Sequence, residues 1–396
     1  MTKAAPSGIV IAGAGIGGLT AALALHARGL TATVLESAPE IRPLGVGINI
    51  QPVAVAELIA LGLGDALAAT GIPTREHRYL DRRGATLWTE PRGVAAGHPA
   101  PQYSIHRGEL QQLLLDAVRE RLGADAVRTG AEVRGFEQTD GQVTVRVGDM
   151  TTVEASALVG ADGLNSAVRA QLHPDEPPLR TTSVRMWRGL TELPEFIDGR
   201  TMIIAADDRA NRIVAYPCSH RHAQRGSVLL NWVCLASVEG GDDGTFEAGP
   251  GRLEDLLPHF ADWEFDWLDV RATLAASPQI LHYPMVDRDP LPSWGEHRVT
   301  LLGDAAHPMY PIGANGASQA IRDGVALAAQ LAEDDDPVAA LRRYEDDRRP
   351  ATTAIVHANR RMDRSERALA GRLDTDVSTE LRTITREYRA AVERRP

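Results

Sequence analysis

Cysteine is almost absent: Cys218 and Cys234 are the only two in 396 residues, and no CxxC pair occurs. That argues against a disulfide framework, a zinc site and an iron–sulfur cluster. Lysine is scarcer still, with Lys3 the single example, so the 42 basic residues are almost all arginine and are outnumbered by 53 acidic ones. A net charge of -11 disfavours a nucleic-acid surface, which needs a basic patch, but allows a local basic groove around an anionic cofactor. Long apolar runs are lacking as well. The one long stretch without Asp, Glu, Lys or Arg, residues 4–27, is crowded with glycine and preceded only by Lys3. It reads as a strand and a buried helix rather than a membrane span or a secretory signal. These absences predict a soluble, cytoplasmic protein with neither nucleic acid nor membrane as partner; a monomer or homodimer is expected.

What is present is length enough for two or three domains and a large core. Residues 8–12 read as a buried strand, 16–28 as a helix closed by Gly29, and 31–36 as a second strand parallel to the first. Pro39, Pro43, Gly45 and Gly47 then predict a loop. Helices are expected at 52–60 and 107–122, the latter with Leu110, Leu113, Leu114, Ala117 and Val118 on one side. Between them, 75–88 suggests a hairpin turning at Arg83-Gly84. Strands follow within 133–147, split at Asp140-Gly141, and at 156–160. From about 179 to 283 the composition is that of sheet, interrupted by an acidic glycine-rich loop at 240–251. Strand 297–302, a helix from Ala317 and a charged helical end from Pro350 complete the chain. The fold class is α/β: a discontinuous Rossmann-like domain (1–74, 100–178 and 284–349), an inserted sheet-rich substrate domain (75–99 and 179–283), and C-terminal helices (350–396). An insertion of this kind places a cleft between the two domains.

Three loops carry chemistry. In Gly13-Ala14-Gly15-Ile16-Gly17-Gly18 the first glycine permits a tight turn, Gly15 lets backbone approach a pyrophosphate, and Gly18 packs helix on sheet. Glu36 closes the second strand where adenosine ribose hydroxyls would lie. This loop binds a dinucleotide without saying whether FAD or NAD. The second loop, 160–169, is in isolation a turn before a surface helix, with Asp162 or Ser166 capping and Arg169 solvated. In the third, 303–324, a strand delivers Asp304 toward a ribitol hydroxyl, and Gly313 and Gly316 leave room for a flat ring at a helix start.

Together GAGIGG, ADGLNSAVR and GDAAHPMYPIGANG, in that order and spanning nearly the whole chain, resemble the class A flavoprotein monooxygenases related to para-hydroxybenzoate hydroxylase. The resemblance implies a glutathione-reductase-type FAD domain. It assigns Gly13, Gly15 and Gly18 to the FAD pyrophosphate, Glu36 to the ribose, and Ile16, Gly17, Ser37, Arg42, Gly47, Ile48 and Val133 to cofactor binding more broadly. Arg107 goes to its phosphate or ribityl region, and Asp304 to the ribitol. Asp162 goes to a turn serving flavin and reduced nicotinamide, and Pro311, Gly313, Ala314, Asn315 and Gly316 go to the ring. Many relatives read GQGxN where this chain reads GANGAS, so Asn315 and Ser318 need not make the usual contacts. GVGINIQP, PQYSIHRGELQ, MWRG, NWVC and HYPMVDRDPLPSWG are similar to the phenazine-pathway hydroxylases, whose type member acts on 5-methylphenazine-1-carboxylate. The chemistry implied is reduction of FAD by NADH or NADPH, addition of O2 at flavin C4a as a hydroperoxide, and oxygen transfer to an aromatic or N-heteroaromatic ring. Loss of carbon dioxide can accompany that transfer where a carboxylate sits ortho or para to the attacked carbon.

The cofactor carries such chemistry, so no catalytic residue is assigned. His307, between apolar residues and Pro308, is expected to be structural rather than a base. Met186, Arg188, Tyr216, Trp232 and Met309 are candidates for the substrate cleft, against the alternative of ordinary core packing or, for Arg188, of bracing the domain interface. Three rivals stay open: another flavoenzyme such as an oxidase or halogenase, an NAD-dependent dehydrogenase, and a non-catalytic flavin-binding protein. A halogenase would need a Trp-x-Trp-x-Ile-Pro run and a lysine in the site, and the chain has neither.

Overall fold

The computed structural model describes residues 8–237, 248–369 and 377–392; Lys3 and most of the glycine-rich loop expected at 240–251 lie outside them. The apolar run Ile9–Ala12 is wholly buried and occupies the centre of a five-stranded sheet. Its neighbours on one side are Ala157–Gly160 and Val299–Leu301, and on the other Ala32–Leu35 and Val127–Arg128, all parallel. Strands covered on both faces read as continuous apolar sequence rather than alternation, as these do. The helix Ile16–His26 packs against this sheet and against Gly316–Glu333, and Arg107–Leu122 packs on its other side. The predicted strand, helix, strand start is therefore present, within two residues at each end.

An eight-stranded sheet faces this assembly. Its order is Gly249–Pro250, Ile280–Asp287, Arg180–Leu193, Val228–Ser237, Arg212–Pro217, Thr201–Ala206, Glu76–Leu80 and Thr86–Pro91. The last two are the predicted hairpin, and Glu76–Leu80 joins the rest by the sheet's one parallel pairing, with Thr201–Ala206. One face packs Trp187, Leu230, Trp232 and Cys234 against Leu256, Phe260 and Leu274. The opposite face looks toward the parallel sheet.

Two expectations are corrected. Gly47–Ile50 is a strand rather than loop, because it pairs antiparallel with Gln102–His106 and Gly47 N–H donates to Asn231 Oδ1 at 2.8 Å. These partners come from far along the chain and override the local proline and glycine content. The charged helical end does not start at Pro350. One helix, Pro337–Leu369, runs through it, held by the buried Tyr344, Arg348, Ile355 and Val356. Val377–Val392 follows as a further helix. Among the described residues no helix is long and apolar enough to cross a membrane, and no cluster of His, Cys, Asp and Glu could hold a metal.

Candidate cofactor and substrate site

The first loop is shaped by clearance. Gly13 has φ +102, and a Cβ there would stand 2.4 Å from Ala161 O; one on Gly18 would stand 2.1 Å from Gly13 O. Both positions admit only glycine, whereas at Gly15 nothing lies within 4 Å. No side chain caps the helix that Gly15 opens, so its first N–H groups face open space, the arrangement that receives an anion. Glu36 reaches back to this loop: Oε2 accepts from Ala14 N–H at 2.8 Å, and Oε1 accepts from Ala38 N–H at 2.8 Å and from Ser37 Oγ at 3.2 Å. Arg42 lies on the surface beside Glu40, and Val133 packs in the core.

The second and third loops are clasped together. Asp162 Oδ2 accepts from Ala167 and Val168 N–H, and Ser166 Oγ accepts from Arg169 N–H at 2.9 Å, so both capping roles are filled. Asp162 Oδ1 is buried without a partner, and burial raises that carboxyl above its ordinary range. Arg169 is not solvated. It is buried, pairs with Glu176, and donates from Nη1 to Ala305 O at 2.8 Å and Ala306 O at 3.0 Å. The sequence offered no sign of this bridge.

Next to those carbonyls, Asp304 projects into a cavity of about 490 Å³. Its side chain is open to the cavity and otherwise enclosed by protein; this burial raises its pKa, opposed by His307 and Arg107. His307 does not border the cavity. Its Nε2 lies 2.6 Å from Asp323 Oδ2, whose carboxylate also accepts from Gly303 N–H at 3.1 Å and Arg348 Nε at 2.8 Å. Burial works against charge on Asp323, but His307 and Arg348 prevail and hold it down to about 2.

Gly15, Ile16, Gly17, Ile48, Arg107, Asp304 and the turn from Pro311 to Gly316 all border the cavity. Its opposite wall is the open face of the eight-stranded sheet, and strand register orders that wall into rows. Tyr79, Ile204, Val214, Val233 and Arg188 form one row; His77, Met202 and Tyr216 lie on one side of it, and Arg212, Leu235 and Met186 on the other. Arg188 Nη2 and Tyr216 Oη donate to Gly47 O at 2.6 and 2.9 Å, so the interface bracing foreseen for Arg188 is real and coexists with a place on the wall. Burial pushes the Tyr216 phenol up to about 12, with Arg188 opposing.

Met309 lies on the wall too, but Trp232 does not. Side chains alternate across a strand, and since Val233 and Leu235 face the cavity, Trp232 must face the other core; there its Nε1 donates to Thr191 Oγ1 at 3.1 Å. Sequence reading missed Tyr79, Arg92, Arg212, Thr385 and Tyr388. The first three had a usable signal, two-residue alternation in step with Met186 and Arg188, once the hairpin is placed at the sheet edge.

A model described as an FAD binding domain matches residues 7–359. The chain belongs to that family. It is 62% identical over its full length to the phenazine 1,6-dicarboxylic acid hydroxylase PhzS of Lysobacter antibioticus, 99% of which is covered. It is 35% identical to 3-hydroxybenzoate 6-hydroxylase 1 of Aquipseudomonas alcaligenes, over 85% of this chain and 83% of that one. Among solved structures, HpxO of Klebsiella pneumoniae, complexed with FAD and uric acid, superposes with a TM-score of 0.78 at 25% identity, covering 98% of this chain and 96% of that one. This flavoprotein is accordingly an FAD-dependent monooxygenase that hydroxylates an aromatic substrate, with the α/β FAD domain and sheet-rich partner expected of it. The cavity fits the cofactor. Open space at Gly15, an uncapped helix start, an Asp304 carboxyl on the wall and the buried Asp162 Oδ1 are features a dinucleotide with a ribitol chain would use.

Proposed function

We propose that this flavoprotein hydroxylates a flat, polycyclic N-heteroaromatic carboxylate of the phenazine type, with NADH or NADPH and O2 as co-substrates. The observation that carries the reading is Arg188. Arg92 and Arg212, also on the cavity wall, are paired with Glu90 and Asp363, each at 3.6 Å, and Arg107 stands at the end proposed for a phosphate of the cofactor. Among the described residues no carboxylate faces Arg188, and its Nε is buried without a partner. A guanidinium held this way in a wall of Met186, Val214, Val233 and Met309 calls for an anion on the ligand. The row from Tyr79 to Arg188 crosses five strands, roughly 19 Å at the usual strand spacing, room for a fused ring system rather than a single ring. The 62% identical relative is named for a phenazine dicarboxylic acid.

When bound, FAD supplies reduction by the nicotinamide and transfer of one oxygen atom from O2 to the ring. The chain's own residues bind and orient. Backbone N–H groups of 15–18 receive the pyrophosphate, Glu36 the ribose, Arg107 a phosphate and Asp304 the ribitol. Pro311 to Gly316 would hold the ring, and the sheet wall would exclude water from the site. In this reading 1–74, 100–178 and 284–349 hold the cofactor while 75–99 and 179–283 close over it, in a cytoplasmic monomer or homodimer.

The test is turnover of a panel of phenazine carboxylates, hydroxyquinolines and salicylates by the FAD-loaded protein. Phenazine carboxylates should stimulate NAD(P)H oxidation most and yield product carrying one atom from labelled O2. Arg188→Gln should raise their KM about ten-fold, the worth of a charge-assisted hydrogen bond, with FAD retained. Better turnover of salicylates, or hydrogen peroxide as the sole product, would overturn the substrate reading.

A further inference from the structure

The family match ends at residue 359, yet the cavity does not. Met362, Thr385 and Tyr388 also border it, the last two from the helix Val377–Val392. Arg382, Thr385 and Tyr388 are spaced three apart and share one side of that helix. Arg382 lies 5.9 Å from the ring centroid of Trp88, which stacks on Tyr79 at 3.9 Å. Tyr388 fills the space a side chain on Gly313 would need and accepts from Asn315 Nδ2 at 2.5 Å; its hydroxyl lies 3.0 Å from Ile312 O and 2.7 Å from Asn359 Oδ1. The helix thus stands at the hairpin end of the wall, opposite Arg188, and is seated by Tyr388 on the turn from Pro311 to Gly316. Between these two anchors Thr385 is 6% exposed, and its Oγ1 is buried without a hydrogen-bond partner. A hydroxyl so placed is costly unless a ligand completes it.

We infer that Thr385 is a specificity-determining residue, whose hydroxyl donates a hydrogen bond to a second carboxylate at the substrate edge remote from Arg188. Residues shared with the wider family would then supply the chemistry, and this C-terminal helix would select dicarboxylated ring systems. The inference rests on the phenazine carboxylate reading above.

The experiment compares phenazine-1,6-dicarboxylate with phenazine-1-carboxylate in the wild-type, Thr385→Val and Thr385→Ser holoenzymes. Thr385→Val should raise KM for the dicarboxylate about ten-fold, well beyond any change for the monocarboxylate, with FAD content retained; Thr385→Ser should restore KM. An equal change for both acids, or none for either, would overturn the assignment while leaving the substrate reading intact. A wild-type enzyme inert to both phenazines would overturn the substrate reading and this inference with it.

Discussion

Asp323→Asn probes the clasp that holds the Asp304 loop. Asp323 is fully buried and Arg348 is 2% exposed, so the substitution leaves a buried guanidinium without its carboxylate. Removing one partner of a buried ion pair costs about 3–5 kcal/mol. The pKa points the same way: depression from 3.8 to about 2 corresponds to a few kcal/mol, on the order of 2–3, in favour of the charged form. Because the folded value lies below the unfolded one, that contribution is complete above about pH 4 and is lost as pH falls through about 2. With unfolding entropy near 2.1 cal/mol/K per residue over 396 residues, the variant should melt roughly 4–6 °C lower at pH 7. Calorimetry of the apoprotein measures this directly. Adding Arg348→Met should recover part of the loss, since the unpaired charge is then gone. A drop below about 1 °C, or a double variant no better than the single, would refute the claim that charge compensation holds this loop.

Glu36→Ala removes the acceptor for Ala14 and Ala38 N–H as well as the proposed ribose contact, and should weaken FAD binding ten-fold or more in a flavin-fluorescence titration. Gly18→Ala places a methyl 2.1 Å from Gly13 O, so purified protein should contain little FAD; stoichiometric flavin would contradict the packing argument. Trp232→Phe and Tyr216→Phe form a contrast. The first should cost about 1–2 kcal/mol of stability with KM unchanged, because Trp232 lies in the far core, and the second should change KM, because Tyr216 lies on the cavity wall. Denaturation and steady-state kinetics on both variants decide it.

Local features were readable from sequence and distant ones were not. The glycine loop, Glu36 and the first two strands carry their signal in local pattern, a continuous apolar run, a glycine turn and a helix within about thirty residues, and each lies where that pattern put it although their outer partners, Ala157–Gly160 and Val127–Arg128, are remote. Gly47–Ile50 escaped because its partners, 102–106 and Asn231, are remote. Trp232 was misplaced for another reason: an aromatic residue in a strand announces burial but not which face it takes. That needs the register with Gly189, whose Cβ position the Trp232 ring occupies at 2.3 Å. Arg169 and Arg348 illustrate the limit most clearly. An arginine in a helix that sequence places at the surface looks solvated, and only the folded chain brings Ala305, Ala306 and Asp323 to these two.

The parallel sheet also sets a timetable for synthesis. Ile9–Ala12 lies beside Ala157–Gly160, which in turn needs Val299–Leu301 to cover its other edge. About 290 residues separate the first of these strands from the last, and at 5–20 residues per second the ribosome takes roughly 15–60 s to deliver it. For that interval an apolar strand edge is open to wrong partners, and the nucleotide cradle lacks Asp304. If Asp304 holds FAD as proposed, capture waits for that strand to emerge, and expression yield should respond to chaperone supply more than to flavin supply during the early part of translation.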